Sequence, residues 1–472
     1  MSQRDRKSLG NKGFHLVELA GRGYPVPPFD VLTAEHVAAG VARDEVSELL
    51  GELRTRAHSL MGADRPVGFA VRSSPPVSMP GMMDTILAVG LGEHDLPALS
   101  VLLAGDEPAA ALVAEGRRAL RAQVGSDPGV DPVDQVLAAV EAVRASWDNE
   151  RARQYRRAHD IGEDNGPAVV VQVMAFGSGA LSGSGVAFSH DPRTGRPGLS
   201  GEYLPASTGE ALVAGQVTPE PLDRLAAQCP SAYAHLDAVV RELFRWHKHL
   251  VEVEFVVETG TLWLVQLRAA TASPAAHTHV AIDAWRSGVL DRDTALTRLS
   301  AEALGADSTA RAAEGHAALL ATGVPASPGV AVGRVVCASE QVLAHPDEPV
   351  VLLRPRTEPE DFVGMVNAAG IVTMEGGFGS HAAVVARELG VPAVVGVGDG
   401  SQSVVGLAPD TTVTVCGTTG RIWAGEVPVE SGTAVPWPAD LLGPEPAGSD
   451  RQHQVRTLLA GAGAGGAVNE RS

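Results

Sequence analysis

The stretch from residue 350 to 396 restricts the fold more than any other part of the chain. It reads VVLLR, a polar segment, GIVTM, a glycine-rich loop, a run of small apolar residues and then PAVVG. Short apolar runs bounded by turn residues predict strands. Thr357, with Glu360 three residues on, predicts a capping box for a helix through Val366. Gly390 and Pro392 stop a second helix over 381–389. Two strand-helix-strand units in a row predict a parallel sheet. The second unit contains EGGFGSHAAVVARELGVP (375–392), which places one histidine, His381, at the opening of a helix behind Ser380 as N-cap.

The chain has 472 residues, enough for two or three cores. VGFAVRSS (67–74) and AVVVQVMAF (168–176) predict strands, and 96–147 predicts helices. GSGALSGSG (177–185) leads into VAFS, so this loop joins strand to strand, unlike a Walker loop. VEVEFVVETGTLWLVQLR (251–268) predicts a hairpin around Glu258-Thr259-Gly260. Residues 272–318 read as linking helices, and ATGVPASPGVAVGRV (321–335) has the punctuation of a new domain. From 428 onward Pro, Gly, Ala and Ser dominate, which predicts a disordered tail. The boundaries expected are therefore 1–271, 272–318, 319–427 and 428–472.

Composition narrows the partners. A formal charge of −19 opposes non-specific binding to nucleic acid or to an anionic membrane. Three dispersed cysteines without C-x-x-C spacing argue against a disulfide framework or a zinc site and for a reducing compartment. MSQRDRKSLGNKG has no apolar signal core, and no uncharged run reaches the ~18 residues of a membrane span. The expectation is a cytoplasmic protein.

A helix N-terminus behind a glycine-rich loop favours an anion, and a neutral imidazole is a competent nucleophile. His381 is thus a candidate phosphoryl carrier; the bland alternative is a satisfied structural histidine. A second set of residues suits a phosphate donor. Lys12 lies in the Gly-flanked turn of GNKGFHLVEL, Arg72 ends a strand in AVRSSP, and Gly81 lies in SMPGMMDT. On the hairpin, Glu252 and Glu254 share one face at period two, as do Gln266 and Arg268 on the partner strand. Carboxylates and an amide oxygen beside cations would serve a Mg²⁺-triphosphate. The alternative is a solvated face of cross-strand ion pairs.

The stretches GNKGFHLVELAGRGYPVPP, AVRSSPPVSMPGMMDTIL, SWDNERARQYRRAHDI, SGSGVAFSHDPRTG, VEVEFVVETGTLWLVQLR, VPASPGVAVGRV and GGFGSHAAVVARELGVPAVVG together resemble the front part of the pyruvate, phosphate dikinase family. Phosphoenolpyruvate synthase and rifamycin phosphotransferase are more distantly similar. The resemblance implies an α/β and α+β multidomain fold: an ATP-grasp nucleotide-binding domain, a helical hinge and a swivelling phosphohistidine domain. It also implies ATP and Mg²⁺. Lys12, Arg72, Gly81, Glu252 and Arg268 would line the ATP site, Glu254 and Gln266 would hold Mg²⁺, and His381 would be the carrier.

This sequence departs from the family in three ways. The C-terminal pyruvate/phosphoenolpyruvate barrel is not recognisable, so the acceptor would be a separate barrel protein or a small molecule. The stretch between MMDTIL and SWDN is short where the dikinases carry a further phosphate-contacting arginine, for which Arg117 and Arg118 are the candidates. Gly379 stands where the dikinases usually have threonine, which removes phosphorylation there. The competing reading is a decayed nucleotide-binding regulatory paralogue. Retention of all the chemical residues favours the enzyme.

Overall fold

The structure, a computed structural model, describes residues 3–79, 81–158, 160–162, 166–207, 219–300, 303–304, 310–313, 317–398, 408–430, 435–444, 456–457 and 459. Three large sheets organise the described residues, beside a two-stranded ladder of Arg311–Ala312 with Val429–Glu430, and the fold is a mixed α/β arrangement with more than one core.

The first sheet has four antiparallel strands in the order Phe29–Leu32, Ala168–Val173, Phe69–Ser74, Thr85–Val89. Helix Arg43–Met61 buries Val46, Leu49, Leu50, Leu53 and Ala57. That is the i, i+3, i+4, i+7 stripe of an amphipathic helix, and it packs on Phe69, Val71 and Val171. Helix Pro132–Ala145 joins the same core, capped by the Asp131 side chain on the Val133 N–H.

The second sheet has five strands in the order Glu220–Pro221, Pro197–Pro205, Gly183–His190, Val251–Glu258, Thr261–Ala269. Its hairpin pairs Glu252 with Arg268 and Glu254 with Gln266, the register that period two predicts. Thr259 and Gly260 both have positive φ, which the tight turn requires. Helices Gln3–Gly21 and Pro230–His247 cover the sheet through Leu16, Leu19, Leu236 and Leu243.

The third sheet has eight strands from Leu319–Thr322 to Arg421–Ala424. Val330–Val336, Val350–Arg354, Gly370–Thr373 and Ala393–Val395 are parallel neighbours, as expected. Antiparallel strands Thr412–Cys416 and Val324–Ser327 flank them, so the sheet is mixed rather than wholly parallel. The expected cap at Thr357 is not made. A 3₁₀ turn Pro359–Asp361 opens the segment instead, and Asp361 accepts the Glu358 N–H at 2.9 Å.

Residues 272–318 contribute helices Pro274–Arg286 and Arg292–Thr297, whose Ile282 and Leu296 are buried. Part of the sequence expected to form a disordered tail packs here. Val435 and Leu441 are buried against those helices, and Arg286 pairs with Asp440 at 2.8 Å. A few well-placed apolar residues outweigh the Gly/Pro-rich composition around them. The rest of 428–472, apart from 428–430, 435–444, 456–457 and 459, lies outside the described residues. Among the described residues no helix is long and apolar enough to cross a membrane.

Candidate functional site

A cavity of about 500 Å³ lies where the three sheets meet. Lys12, Arg72, Gly81, Glu254, Gln266, Arg268 and His381 all line it. Glu252 does not reach the cavity wall, and it acts one step back.

Backbone geometry places Lys12. Helix Gln3–Gly21 is interrupted at Gly10, where φ is 66° and ψ 174°. A Cβ there would lie 1.7 Å from the Ser74 carbonyl oxygen, so only glycine fits. Asn11 N–H donates to the Pro75 carbonyl at 2.8 Å, and Gly13 N–H donates to Ser74 Oγ at 3.0 Å. The lysine turn is thereby stapled to the end of strand Phe69–Ser74, which carries Arg72. Burial lowers the Lys12 pKa to about 7; Arg72 and Arg268 push the same way and Glu254 opposes them.

Arg72 joins both halves of the predicted set. One of its nitrogens donates to Glu254 Oε2 at 3.2 Å and to Gln266 Oε1 at 2.7 Å. The other donates to Gln172 Oε1 and the Val265 carbonyl. Glu254 and Gln266 therefore present their oxygens to one point. Glu252 accepts two bonds from Arg268, at 2.8 and 2.5 Å. Burial alone would lower the Arg268 pKa; Glu252 and Glu254 overcome it and raise it. The hairpin face is not solvated: Glu252 and Gln266 are buried.

His381 opens helix His381–Leu389, with Ser380 at the N-cap position. The Ser380 hydroxyl makes no cap bond. His381 Nδ1 lies 3.2 Å from Thr357 Oγ1, whereas buried Nε2 has no hydrogen-bond partner among the described residues. Burial lowers the ring's pKa against the pull of Glu358, Asp361 and Glu360, so the imidazole is neutral near pH 7. Thr357, predicted as a helix cap, instead fixes the ring.

The loop before His381 is anchored on the second sheet. Buried Glu202, on strand Pro197–Pro205, accepts the Phe378 N–H at 2.5 Å and the Gly379 N–H at 2.9 Å. The Phe378 ring is buried 5.4 Å from that of Phe188, with the guanidiniums of Arg193 and Arg387 at 5.0 and 5.6 Å. On the other side Met82, Trp147 and Tyr155 pack with Ala382 and Ala383 in one cluster. The histidine is thus held against the cationic pocket from both flanks.

Arg117 and Arg118 do not line the cavity, and Arg117 pairs with Glu93 instead. Arg151, from the SWDNERARQYRR stretch, does line it. It donates to the Met82 carbonyl, pairs with Asp84 and approaches Glu360 Oε1 at 3.7 Å. The roles of Glu202, Thr357 and Arg151 at the site escaped the sequence reading because they arise from contacts distant in sequence. Arg151 alone lay inside a quoted motif.

Comparison with known proteins finds two family models that match this chain. A family model described as pyruvate phosphate dikinase, AMP/ATP-binding domain, matches residues 41–228. A second, described as PEP-utilising enzyme, mobile domain, matches 346–420 and so contains His381. Pyruvate, phosphate dikinase of Rhizobium meliloti is 31% identical over 91% of this chain and 57% of its own length. That of Clostridium symbiosum is 32% identical over 89% and 57%. Pyruvate, phosphate dikinase 2 of Oryza sativa is 33% identical over 89% and 55%. The chain thus spans little more than half the length of these relatives.

Proposed function

The chain belongs to the pyruvate, phosphate dikinase family, and on that footing we propose that it is an ATP-dependent phosphotransferase whose phosphoryl carrier is His381. One observation carries the reading. The His381 ring and the cations Lys12, Arg72 and Arg268 line the same cavity.

Residues 1–271 would hold the nucleotide, 272–318 would be the hinge, and 319–427 would carry the histidine. Lys12, Arg72 and Arg268 hold the phosphates, and Gly81, with φ 73°, lets backbone approach them. Glu252 keeps Arg268 aimed at the cavity. In the tautomer with the proton on Nδ1, that nitrogen of His381 donates to Thr357 Oγ1 and the Nε2 lone pair is free. Nε2 attacks a phosphorus of ATP: a P–N bond forms as a P–O bond breaks. The nucleotide leaves with the electron pair, its new charge facing the three cations. The proton stays on Nδ1 of His381, hydrogen-bonded to Thr357 Oγ1.

The donor set suits Mg²⁺ by its chemistry, since Glu254 and Gln266 offer hard oxygens; both now accept from one Arg72 nitrogen, which would turn to the phosphates to let the ion bind. These two residues would hold the ion, which when bound neutralises phosphate charge. The phosphoryl group would pass to an acceptor, either pyruvate on a separate barrel protein or another small molecule.

The test is intact-protein mass after incubation with Mg-ATP at neutral pH. Wild type gains phosphoryl mass; His381→Ala gains none yet still binds ATP. Labelling of the variant, or none of the wild type, refutes the assignment.

A further inference from the structure

Helix Gln3–Gly21 carries two groups beyond Lys12 that this chemistry does not use. His15 and Glu18 stand one turn apart, with His15 Nδ1 3.1 Å from Glu18 Oε2. Across from them is His247, the last residue of helix Pro230–His247. The His15 and His247 ring centroids are 5.6 Å apart and nearly perpendicular. One ligand atom from each of the three residues lies within 4.8 Å of the other two. His247 Nε2 is buried and has no hydrogen-bond partner among the described residues. A buried ring nitrogen in that condition is destabilising unless a ligand takes it.

We propose that His15, Glu18 and His247 form a site for a borderline transition-metal ion of the Zn²⁺ class. Two imidazole nitrogens and one carboxylate oxygen suit Zn²⁺, Co²⁺ or Ni²⁺. They suit Mg²⁺ and Ca²⁺ poorly, because those ions take oxygen ligands. This separates the site by chemistry from the Glu254–Gln266 oxygens. Three protein ligands leave a fourth position for water, and the His249 ring, 5.4 Å from that of His247, stands nearby. Arg6 Nη2 reaches His15 Nε2 at 3.5 Å, the outer limit of a hydrogen bond. An incoming cation displaces it, and the Phe14 ring already supports the guanidinium from 5.0 Å.

Lys12 and His15 are three residues apart on one helix, and His247 leads directly into strand Val251–Glu258. An ion bridging them ties the lysine helix to the strand that carries Glu252 and Glu254. Occupancy therefore fixes Lys12 relative to those carboxylates.

The experiment is calorimetric titration of metal-stripped protein with Zn²⁺ in excess Mg²⁺ and without nucleotide, paired with visible absorption after Co²⁺ loading. One ion per chain and the intense bands of four-coordinate Co²⁺ are expected. His247→Gln and Glu18→Gln should each weaken Zn²⁺ binding by ~10–100-fold, at least the effect of losing an outer-shell partner. His94→Gln, at an exposed ring, should leave it unchanged. Glu18 is partly exposed and Glu18→Gln keeps the side chain's size, so this variant keeps the test decisive if His247→Gln fails to fold. Absence of a one-to-one event, or binding that survives Glu18→Gln, overturns the site. Neither readout depends on phosphoryl capture, so failure of the proposed activity leaves this inference standing, and the reverse holds too.

Discussion

Replacing Glu202 by alanine tests what holds His381 at the donor pocket. The Glu202 carboxylate accepts two backbone N–H groups, those of Phe378 and Gly379. Each bond to a charged acceptor contributes about 1.5–3 kcal/mol. Burial raises the Glu202 pKa although both N–H bonds lower it, so burying the ion is itself costly. The alanine variant recovers that cost, which selects the lower end of the range. Two bonds at about 1.5 kcal/mol make about 3 kcal/mol, or roughly a 100-fold fall in the docked-to-released ratio. Glutamine keeps one accepting oxygen but turns an amide donor towards the second N–H, so it loses about half. The assay is a single-turnover quench with radiolabelled ATP at saturation, with ATP affinity measured separately. Phosphoryl capture should fall in the order wild type, Glu202→Gln, Glu202→Ala. ATP affinity should hold, because Glu202 is not on the cavity wall. Capture at the wild-type rate in Glu202→Ala would refute the docking role. So would a parallel loss of ATP affinity.

The remaining predictions concern the same cavity. With its pKa lowered to about 7, Lys12 is largely uncharged at pH 8 in the free protein. A bound triphosphate raises that pKa, so ATP binding takes up a proton and weakens as pH rises above 7. Calorimetry at pH 8 in buffers of different ionisation enthalpy should show the uptake in wild type and not in Lys12→Met. Thr357→Val removes the partner of His381 Nδ1 and should slow capture about tenfold while shifting the ring's tautomers, visible in its ¹⁵N spectrum. An unchanged spectrum would sink that role. A Cβ at Gly377 would lie 2.3 Å from Glu202 Oε1, whereas one at Gly379 would be 3.6 Å from Oε2. Gly377→Ala should therefore impair capture and Gly379→Ala should be tolerated; equal behaviour would contradict the geometry.

Much of the site was legible because its residues are local in sequence. Period two put Glu252 and Glu254 on one face, and the turn at Thr259–Gly260 fixed their register against Arg268 and Gln266. Ser380 and Gly390 marked the ends of the histidine's helix. Residues whose role depends on a distant neighbour were not legible. Thr357 has the spacing of a helix cap, yet its hydroxyl meets a ring 24 residues away. Glu202 meets backbone 176 and 177 residues on, and no local pattern announces that. Val435 and Leu441 were hidden in a composition that usually stays unpacked, because what matters there is the groove they fill.

Phe378 and His381 are three positions apart, and the anchored amides of Phe378 and Gly379 come closer still. A spacer that short spans at most ~10 Å fully extended and has almost no slack. A displacement at the anchor therefore reaches the imidazole nearly undiminished. Near-attack geometry is unforgiving, and a 1 Å error can cost on the order of 10²-fold in rate. The aiming error is set by a few ångströms of loop. The proposed hinge and the rest of the eight-stranded sheet only have to deliver that loop to its seat. Tolerance to mutation should follow the same gradient, wide across the outer strands and narrowing sharply at Gly377, Phe378 and His381, with Gly379 the roomier position between them.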